Sequence, residues 1–304
     1  MLKAGNIDFF KYRFLFFGVS FLLMMAFVGG AVYRYKTRGS VFTYSVDFTG
    51  GTEVRLSFSG AEKISGERVE QILAKNGIDG ATTRDFANGE VLVRVRGFEN
   101  DSRGLSQRIQ EYVEAEVSGT KVSILQTDSV GAAVGDELRH NSTKAVILVL
   151  LIMLLYIALR FWSFSFAMGA IVALFHDVIA ILTLVIWLDL EISLNIIAAI
   201  LFILGYSIND TIVVFSRIRE HFSSHEKGNA LAIANKSINE TLRRTILTSV
   251  ATALTVVALL FGAGVLRLLA MALLMGIVFG TYSSIYIATP TMLLLNRGKK
   301  STGS

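Results

Sequence analysis

The sequence predicts a polytopic α-helical membrane protein with six transmembrane helices and a ferredoxin-like α+β domain between helices 1 and 2. The first observation behind this fold class is composition, since the 304 residues are 53% hydrophobic and only 17% charged. The second is the presence of six apolar runs, interrupted after the first by a polar stretch from residue 36 to about 140. The third is that basic residues gather at the ends of the runs, so the net charge of +5 indicates topology rather than nucleic-acid binding.

The first apolar run, residues 14–32, follows Lys3, Lys11 and Arg13. It is longer than the roughly 7–15-residue apolar core of a cleaved signal peptide, and no clear Ala-x-Ala cleavage site follows it. We therefore expect residues 14–33 to form transmembrane helix 1, with residues 1–13 in the cytoplasm. A cleaved signal peptide is the alternative.

Residues 34–143 are predicted to form a water-soluble domain on the outer side of the membrane. Its predicted elements are a strand at 53–58, a helix at 64–76 that stops at Gly77, strands at 81–86 and 91–95 around the turn signal Asn88-Gly89, a helix at 105–117 and a strand containing Val122 and Ile124. This order is typical of the ferredoxin-like fold. No nucleophile–base pair or metal cluster is visible in it, which favours a binding or scaffolding role.

Five further apolar runs are predicted to build a membrane domain at residues 144–295. They lie at about 145–159, 164–188, 192–215, 246–265 and 268–295. We expect a cytoplasmic loop at 217–244 that contains a short helix on the inner membrane surface, and a bend or end of the sixth span at Pro290. Six spans and the distribution of basic residues place both termini, including the tail 296–304, in the cytoplasm.

Asp210 lies inside the fourth apolar run, where a carboxylate costs at least roughly 2.5–3.5 kcal/mol to insert. Tyr206 and Ser207 precede it by one helical turn and are expected on its face. Gly205 and Ser207 are small enough for a neighbouring helix to come close, and Asn209 adds a polar flank. We interpret Asp210 as the proton-handling group of a transport machine.

The fifth run supplies a cation, Arg244, on the edge of a hydroxyl-bearing helix face. That face carries Thr241, Thr245, Thr248, Thr252 and Thr255. Burial in lipid favours a neutral carboxyl group and a nearby cation favours the charged one, so an acid held between the two can load and release a proton. The hydroxyl face suits a hydrated path or a close helix contact; the alternatives are hydroxyls bonded to their own helix carbonyls and a snorkelling arginine.

The third run carries His176-Asp177 near its middle. Adjacent helical residues point about 100° apart, so the two cannot both face one partner. Membership in a proton relay and hydrogen bonding between helices are both open. The chain has no cysteine and only scattered histidines, so no metal site, disulfide or thiol chemistry is predicted.

Residues 205–220, with the sequence GYSINDTIVVFSRIRE, resemble the fourth-span signature of the SecF family of protein-export membrane proteins. Other features of that family stand at matching places: Asp47-Phe48-Thr49-Gly50-Gly51, Val130-Gly131 with Val134-Gly135, His176-Asp177, and residues 241–249 around Arg244. The resemblance covers essentially the whole chain. It departs at Ser216, where an aspartate is usual, and at Ala132-Ala133, which replaces a proline-containing turn.

The resemblance implies a subunit of a SecD–SecF complex of the resistance-nodulation-division superfamily, in the bacterial cytoplasmic (inner) membrane. Such a complex uses the proton-motive force to promote late-stage preprotein export through the SecYEG channel. By motif match, Asp210 corresponds to the membrane aspartate held essential for proton flow, and Arg244 to the arginine beside it.

The implied partners are SecD, SecYEG, preproteins and the lipid bilayer, with YajC as a further partner and without nucleic acid. No enzymatic activity is implied, and the coupling ion is the proton, without another cofactor. The alternatives are a proton-coupled half-transporter for a lipid or small molecule, and a passive scaffold of the translocon.

Overall fold

The chain is described here from a computed structural model, in which residues 7–59, 64–86, 89–95, 102–117, 119–224, 229–262 and 265–296 are described. In chain order the elements are α1 (Arg13–Arg38), β1 (Thr43–Tyr44), α2 (Val46–Thr49), β2 (Gly51–Ser59), α3 (Gly66–Lys75), β3 (Thr82–Asp85), β4 (Glu90–Val95), α4 (Ser102–Glu116), β5 (Lys121–Val130), α5 (Ala132–Phe161), α6 (Phe164–Trp187), β6 (Glu191–Ile192), α7 (Leu194–Ser223), α8 (Ala230–Leu259), α9 (Val265–Ser283), a π-helical turn (Ser284–Ala288) and α10 (Thr289–Asn296). Residues 44–143 form an α+β unit, and the rest of the chain forms a membrane unit.

The α+β unit is built on a four-stranded sheet of order β3-β4-β2-β5, in which all neighbouring strands are antiparallel. Helix α3 connects β2 to β3, and α4 connects β4 to β5. Their apolar faces bury Val69, Leu73, Leu105 and Ile109 against the sheet. In the predicted β3–β4 turn, Gly89 has a φ of +81°, whereas Asn88 lies outside the described residues.

Two consecutive glycines connect α2 to β2. Gly50 and Gly51 have φ values of +70° and +110°, a region that favours glycine. A Cβ atom on Gly50 would lie 2.7 Å from the Cα atom of Ala132 at the start of α5. A Cβ atom on Gly135 would similarly lie 3.0 Å from the backbone nitrogen of Gly50. Gly50 and Gly135 therefore permit close packing between this turn and the first turn of α5.

The membrane unit contains the helices that can cross a bilayer: among the described residues six are long and apolar enough, if α9 to α10 is counted as one. Helices α6, α7 and the last span are about half buried inside the chain, whereas α1, α5 and α8 are mostly exposed. Helices α7 and α9 pack closely, since a Cβ atom on Gly276 would lie 2.3 Å from the side chain of Ile203. The buried polar residues described below lie mainly on these inner helices.

The sequence predicts a loop with a short surface helix at 217–244, whereas the structure has the long helix α8 over much of this range. Helix α7 continues to Ser223, and α8 runs unbroken from Ala230, so most of the predicted loop is helical. Residues 230–259 contain no glycine or proline, and the Asn229 side chain caps the helix by accepting a hydrogen bond from the backbone N–H of Ala232 at 2.8 Å. The change from polar to apolar residues therefore marks a change of surroundings along one helix rather than its start.

The last span changes its winding shortly before Pro290, where the sequence predicts a bend or an end. A π-helical turn covers Ser284–Ala288, and α10 then continues the span to Asn296. Because proline lacks a backbone N–H, it cannot make the usual bond to the carbonyl four residues earlier. In the same turn, the hydroxyl of Thr289 donates to the carbonyl of Ser284 at 3.0 Å.

Candidate functional site

Asp210 is buried on α7, with 3% of its surface exposed. Its Oδ2 atom has no hydrogen-bond partner among the described residues. Leaving a buried polar atom without a partner costs about 1–3 kcal/mol, so such atoms in a native fold call for an explanation. A carboxyl group that exchanges a proton provides one.

Arg244 of α8 is close enough for its charge to attract the Asp210 carboxylate. Its side chain is nevertheless exposed on the surface of the chain. Helices α7 and α8 contact each other, so the two residues lie on neighbouring helices. The structure thus places the predicted acid and cation on neighbouring helices without an ion pair between them among the described contacts, and Arg244 stays exposed on the surface of the chain.

Two other predicted site residues also face outward from α7. Gly205 and Asn209, one turn apart, are both exposed, and no atom lies within 4 Å of a Cβ built on Gly205. Tyr206 is half-buried, stacks on Phe202 at a centroid distance of 6.2 Å, and has no described hydrogen-bond partner for its hydroxyl. Gly205 and Asn209 together with Arg244 form what we call the outward polar face of α7 and α8.

The hydroxyl stripe of α8 is bonded mainly within its own helix, which was one of the two predicted alternatives. Thr248 donates to the carbonyl of Arg244 at 3.0 Å, and Thr252 donates to the carbonyl of Thr248 at 2.9 Å. Thr245 is the exception among the described stripe residues, since its hydroxyl is buried without a partner. Thr248 therefore stabilises the helix next to Arg244. Among the described residues, it forms no hydrogen bond with Asp210.

Asp177 of α6 is the second acid inside the membrane unit, and it is fully buried. It accepts hydrogen bonds from Ser207 of α7 at 2.5 Å and from Ser283 of α9 at 2.9 Å. The Nδ1 atom of His176 lies 3.4 Å from its other oxygen. Asp177 thus connects three helices by hydrogen bonds. Interhelical hydrogen bonding was one of the two roles that the sequence analysis left open, and the other was membership in a proton relay.

His176 reaches the same region from α6. Its ring lies 5.9 Å from the Phe279 ring and 5.7 Å from the Tyr282 ring, and its Nε2 atom is buried without a partner among the described residues. Tyr282 in turn shares a hydrogen bond of 2.7 Å with Ser20 of α1. Aromatic packing therefore connects His176 to a polar contact between α1 and α9.

Asp177 and Asp210 differ in how many hydrogen-bond partners their carboxylates have. Asp177 has hydroxyl donors from two other helices, whereas Asp210 has an oxygen without a described partner. Ser207, which the sequence grouped with Asp210, is directed to Asp177 instead. Ser283 was missed by the sequence reasoning, although the polar run 281–284 within an apolar span was an available signal.

The polar ends of α7 and α8 are joined by an ion cluster. Glu240 of α8 pairs with Arg217 and lies 2.8 Å from the Nε2 atom of His221, both on α7. Ser216, where the resemblance to the SecF family leads us to expect an aspartate, is followed directly by this arginine. Charge contact between these two helix ends is therefore present without an acid at position 216.

In the α+β unit, Asp47 of the double-glycine motif lies near Asp128 of β5. Burial raises the pKa of Asp128, a hydrogen bond from Gln126 counteracts this shift, and repulsion by Asp47 adds to it. The Gln126 donor lies 2.6 Å from the Asp128 carboxylate. As for metals, no group of ligating side chains suited to a metal ion is found within the described ranges.

Two family descriptions match the chain. Protein export membrane protein SecD/SecF, C-terminal, covers residues 110–298, and the SecD/SecF GG Motif covers residues 39–62. The first contains the acids and the cation of the membrane unit. The second contains the Gly50-Gly51 turn.

Proteins named protein translocase subunit SecF are similar along nearly the whole chain. The protein from Thermodesulfovibrio yellowstonii is 35% identical over 301 residues, which cover 98% of this chain and 97% of the relative. The protein from Rhodothermus marinus is 38% identical over 306 residues, with coverage of 97% and 95%.

The crystal structure of SecDF, a translocon-associated membrane protein from Thermus thermophilus, superposes with a TM-score of 0.83 at 34% sequence identity. The match covers 98% of this chain but spans only 40% of that longer chain. A crystal structure of SecDF in a super-membrane-facing form gives a TM-score of 0.67, also at 34% identity and 40% of that chain.

Proposed function

The chain belongs to the SecD/SecF family of protein-export membrane proteins, and on that premise we propose that it acts as the SecF half of a SecD–SecF pair. In this role it uses the proton-motive force to promote late-stage preprotein export through the SecYEG channel. YajC is a further proposed partner. The role is one of coupling proton movement to a mechanical step, without a chemical reaction on the substrate.

The observation that carries the proposal is the contrast between the two membrane acids. Asp210 is buried with an unpartnered oxygen and is attracted by Arg244, whereas Asp177 is held by hydroxyl donors. Protonation of Asp210 would remove its attraction to Arg244 and allow α7 and α8 to shift. Each proton that crosses a potential of 100 mV carries about 2.3 kcal/mol, enough to bias an element with two arrangements.

The outward polar face supports a partner subunit within the membrane. An arginine exposed to lipid costs roughly 2.5–3.5 kcal/mol at the bilayer centre and less toward the membrane surface, where Arg244 precedes the apolar run 246–265. Gly205, Asn209 and Arg244 would be covered if a second set of membrane helices packed on α7 and α8. SecD is the proposed partner, because the similar SecDF chain is more than twice as long as the matched region.

We place both termini in the cytoplasm and the α+β unit outside the bacterial inner membrane. The support is the distribution of basic residues, with Lys3, Lys11, Arg13 and Arg160 on the proposed inner side. We also assign the α+β unit to the ferredoxin-like folds. That assignment is supported by the antiparallel sheet order and the two connecting helices.

Asp177 and His176 are proposed to hold the inner helices in register beside the coupling site. Through Ser207, three residues before Asp210 on α7, Asp177 fixes the height of α7 against α6 and α9. This assigns Asp177 a positioning role rather than a place in the proton path. Asp210 then remains the group that binds and releases the proton.

Preprotein release from membrane vesicles tests the proposal. Vesicles that contain this chain and its SecD partner would be compared with and without a proton gradient, as wild type, Asp210→Asn and Asp79→Asn. The last variant removes an exposed carboxylate of the α+β unit as a charge control. We expect the gradient to accelerate release in wild type and Asp79→Asn only, at equal levels of the complex.

Equal gradient stimulation of the Asp210→Asn variant would contradict the proposal. An amide can hold a helix contact but does not titrate, so that result would leave the chain as a passive scaffold. Gradient-dependent movement of a lipid or small molecule with no effect on release would instead indicate a half-transporter.

A further inference from the structure

A cavity of about 520 Å³ lies between the segment that precedes α1 and the first turns of α8. Phe10, Lys11, Arg13 and Phe14 line one side of it, and Asn229 and Asn235 line the other. Its walls therefore combine two cations, two aromatic rings and two amides. None of these groups takes part in the coupling site around Asp210.

A pair of asparagines on α8 holds the two walls together. Asn239 accepts a hydrogen bond from the backbone N–H of Ile7 at 2.9 Å and donates to the Ile7 carbonyl at 2.8 Å. Asn235 donates to the same carbonyl at 3.0 Å and accepts from the N–H of Phe9 at 2.9 Å. We call this arrangement the asparagine clasp. Because it binds backbone atoms, it fixes the path of residues 7–9 along α8.

The cavity is suited to an anion. Lys11 and Arg13 are exposed, and neither forms an ion pair with a carboxylate within the part of the chain that the structure describes. Asp8 also lines the cavity, but its carboxylate accepts hydrogen bonds from the backbone N–H groups of Phe10 and Lys11 at 3.2 and 3.1 Å. Among the described lining residues, the formal charge is therefore positive by one unit, and both cations lack a carboxylate partner.

The cavity also lies where the polar and apolar parts of a lipid meet. Arg13 is the first residue of α1, a helix able to cross the membrane, so the cavity is at the level of the lipid headgroups. Phe10 and Phe14 add apolar surface beside the cations. A phosphate would face Lys11 and Arg13, and the adjoining glycerol and acyl region would face the rings.

We propose that this cavity binds the headgroup of an anionic phospholipid. The lipid would cover the cations and press the N-terminal segment onto α8, the helix that carries Arg244. The leaflet involved is the cytoplasmic one if the orientation given under the proposed function holds. The binding itself does not depend on that function.

Native mass spectrometry of the delipidated full chain tests the proposal, with phosphatidylglycerol as the added lipid and phosphatidylcholine as the neutral comparison. We expect one tightly bound phosphatidylglycerol. Removal of both cations in Lys11→Gln/Arg13→Gln should weaken its binding more than tenfold, at about fivefold for each basic residue. Arg243→Gln/Arg267→Gln, which removes two exposed cations outside the cavity, should leave this binding unchanged.

A second variant separates a shaped site from general attraction by charge. Ala232 is exposed and lines the cavity, so Ala232→Trp should fill it while leaving Lys11 and Arg13 in place. We expect a loss of phosphatidylglycerol binding comparable to that of the charge variant. Unchanged binding in Ala232→Trp, or equal losses in the two charge pairs, would overturn the proposal.

Glycerol 3-phosphate provides the remaining comparison because it carries the phosphate without acyl chains. If it binds as tightly as phosphatidylglycerol, the site recognises soluble phosphate esters and the lipid proposal is wrong. Tight binding of phosphatidylcholine would equally overturn it. Since none of these measurements involves preprotein release, they can fail or succeed independently of the proposed export function.

Discussion

Ser207 of α7 donates a hydrogen bond of 2.5 Å to the fully buried carboxylate of Asp177 on α6. The same carboxylate oxygen accepts a bond from Ser283 of α9, so the three inner helices meet at one atom. Asp210 follows Ser207 by three residues on α7. The hydrogen bond between Ser207 and Asp177 therefore also fixes the position of Asp210 on α7.

Ser207→Ala should destabilise this junction. It removes one donor from a buried carboxylate, and hydrogen bonds between membrane helices contribute about 0.6 kcal/mol on average and up to about 1.7 kcal/mol. We expect a lower free energy of unfolding within that range for the purified chain in detergent. Ser216→Ala on the same helix is the matched control, and a loss as large in the control would show that the effect is not specific to Asp177.

Gly30→Ala should weaken the packing of α1 on α6, whereas Gly29→Ala should not. A Cβ atom on Gly30 would lie 2.6 Å from Ile186 and 3.1 Å from Trp187, while Gly29 has open space around it. Overpacking typically costs about 1–3 kcal/mol, and alanine in an exposed helix gains roughly 0.5–1 kcal/mol over glycine. Thermal unfolding of both variants checks this, and equal midpoints would contradict it.

Asp189→Asn should destabilise the contact between the end of α1 and the turn after α6. Asp189 pairs with Arg34, whose side chain is only 7% exposed, and with the more exposed Arg38. Loss of the charge leaves Arg34 buried without its counterion, at an expected cost of about 1–2 kcal/mol because Asp189 itself is partly exposed. Asparagine tolerates the φ of +53° at this position, so backbone strain is not added.

Arg38→Gln is the comparison for that experiment, because it removes the exposed arm of the same ion pair. We expect a loss below about 0.5 kcal/mol. Thermal unfolding of the two variants should therefore separate them. A larger effect for Arg38→Gln than for Asp189→Asn would refute the assignment of Arg34 as the buried partner.

Asp128→Asn should stabilise the α+β unit at neutral pH. The folded state raises the pKa of Asp128 above its ordinary value of 3.8, mainly through burial, so the fold favours the protonated acid. The contribution of Asp128 to the stability of the unit is therefore greatest below pH 3.8, falls as the pH rises from there through the higher folded pKa, and stays reduced above it. The asparagine variant does not titrate at this position and should lack this decline.

Hydrogen exchange of β5 peptides in the full chain measures this effect between pH 4 and pH 8, after correction for the intrinsic exchange rate. We expect stronger protection in Asp128→Asn than in wild type at pH 7, with the two converging at low pH. Asp79→Asn serves as the exposed control. A pH profile unchanged from wild type would rule out Asp128 as the source.

Periodicity and hydropathy were sufficient to predict that six membrane helices exist and that Asp210 lies within the fourth, because both depend on residues close together in sequence. The partners of Asp177 were not predictable in this way. Ser207 and Ser283 are 30 and 106 residues away from it, and their meeting depends on how three helices pack. The exposure of Arg244 likewise depends on which helices pack against α8. The local sequence of α8 does not show this.

The extent of α8 was mispredicted for a different reason. Polar residues between 230 and 244 were interpreted as a loop with a surface helix, since a change in hydropathy usually accompanies the end of a span. Helix continuity depends on backbone hydrogen bonds and on the absence of glycine and proline. Along α8 the hydropathy changes near residue 245, but the sequence has no residue that breaks a helix. The helix therefore continues through the change in hydropathy.

The asparagine clasp has a consequence for the order of events during synthesis. Ile7 and Asn239 are separated by 232 positions along the chain, so the contact must wait until the first part of α8, the fifth membrane helix, has been translated. At roughly 5–20 residues per second, this delay is on the order of 10–50 s. Residues 7–9 are therefore fixed in place by one of the last membrane helices to be made, so their docking on α8 can occur only when most of the membrane unit has been synthesised.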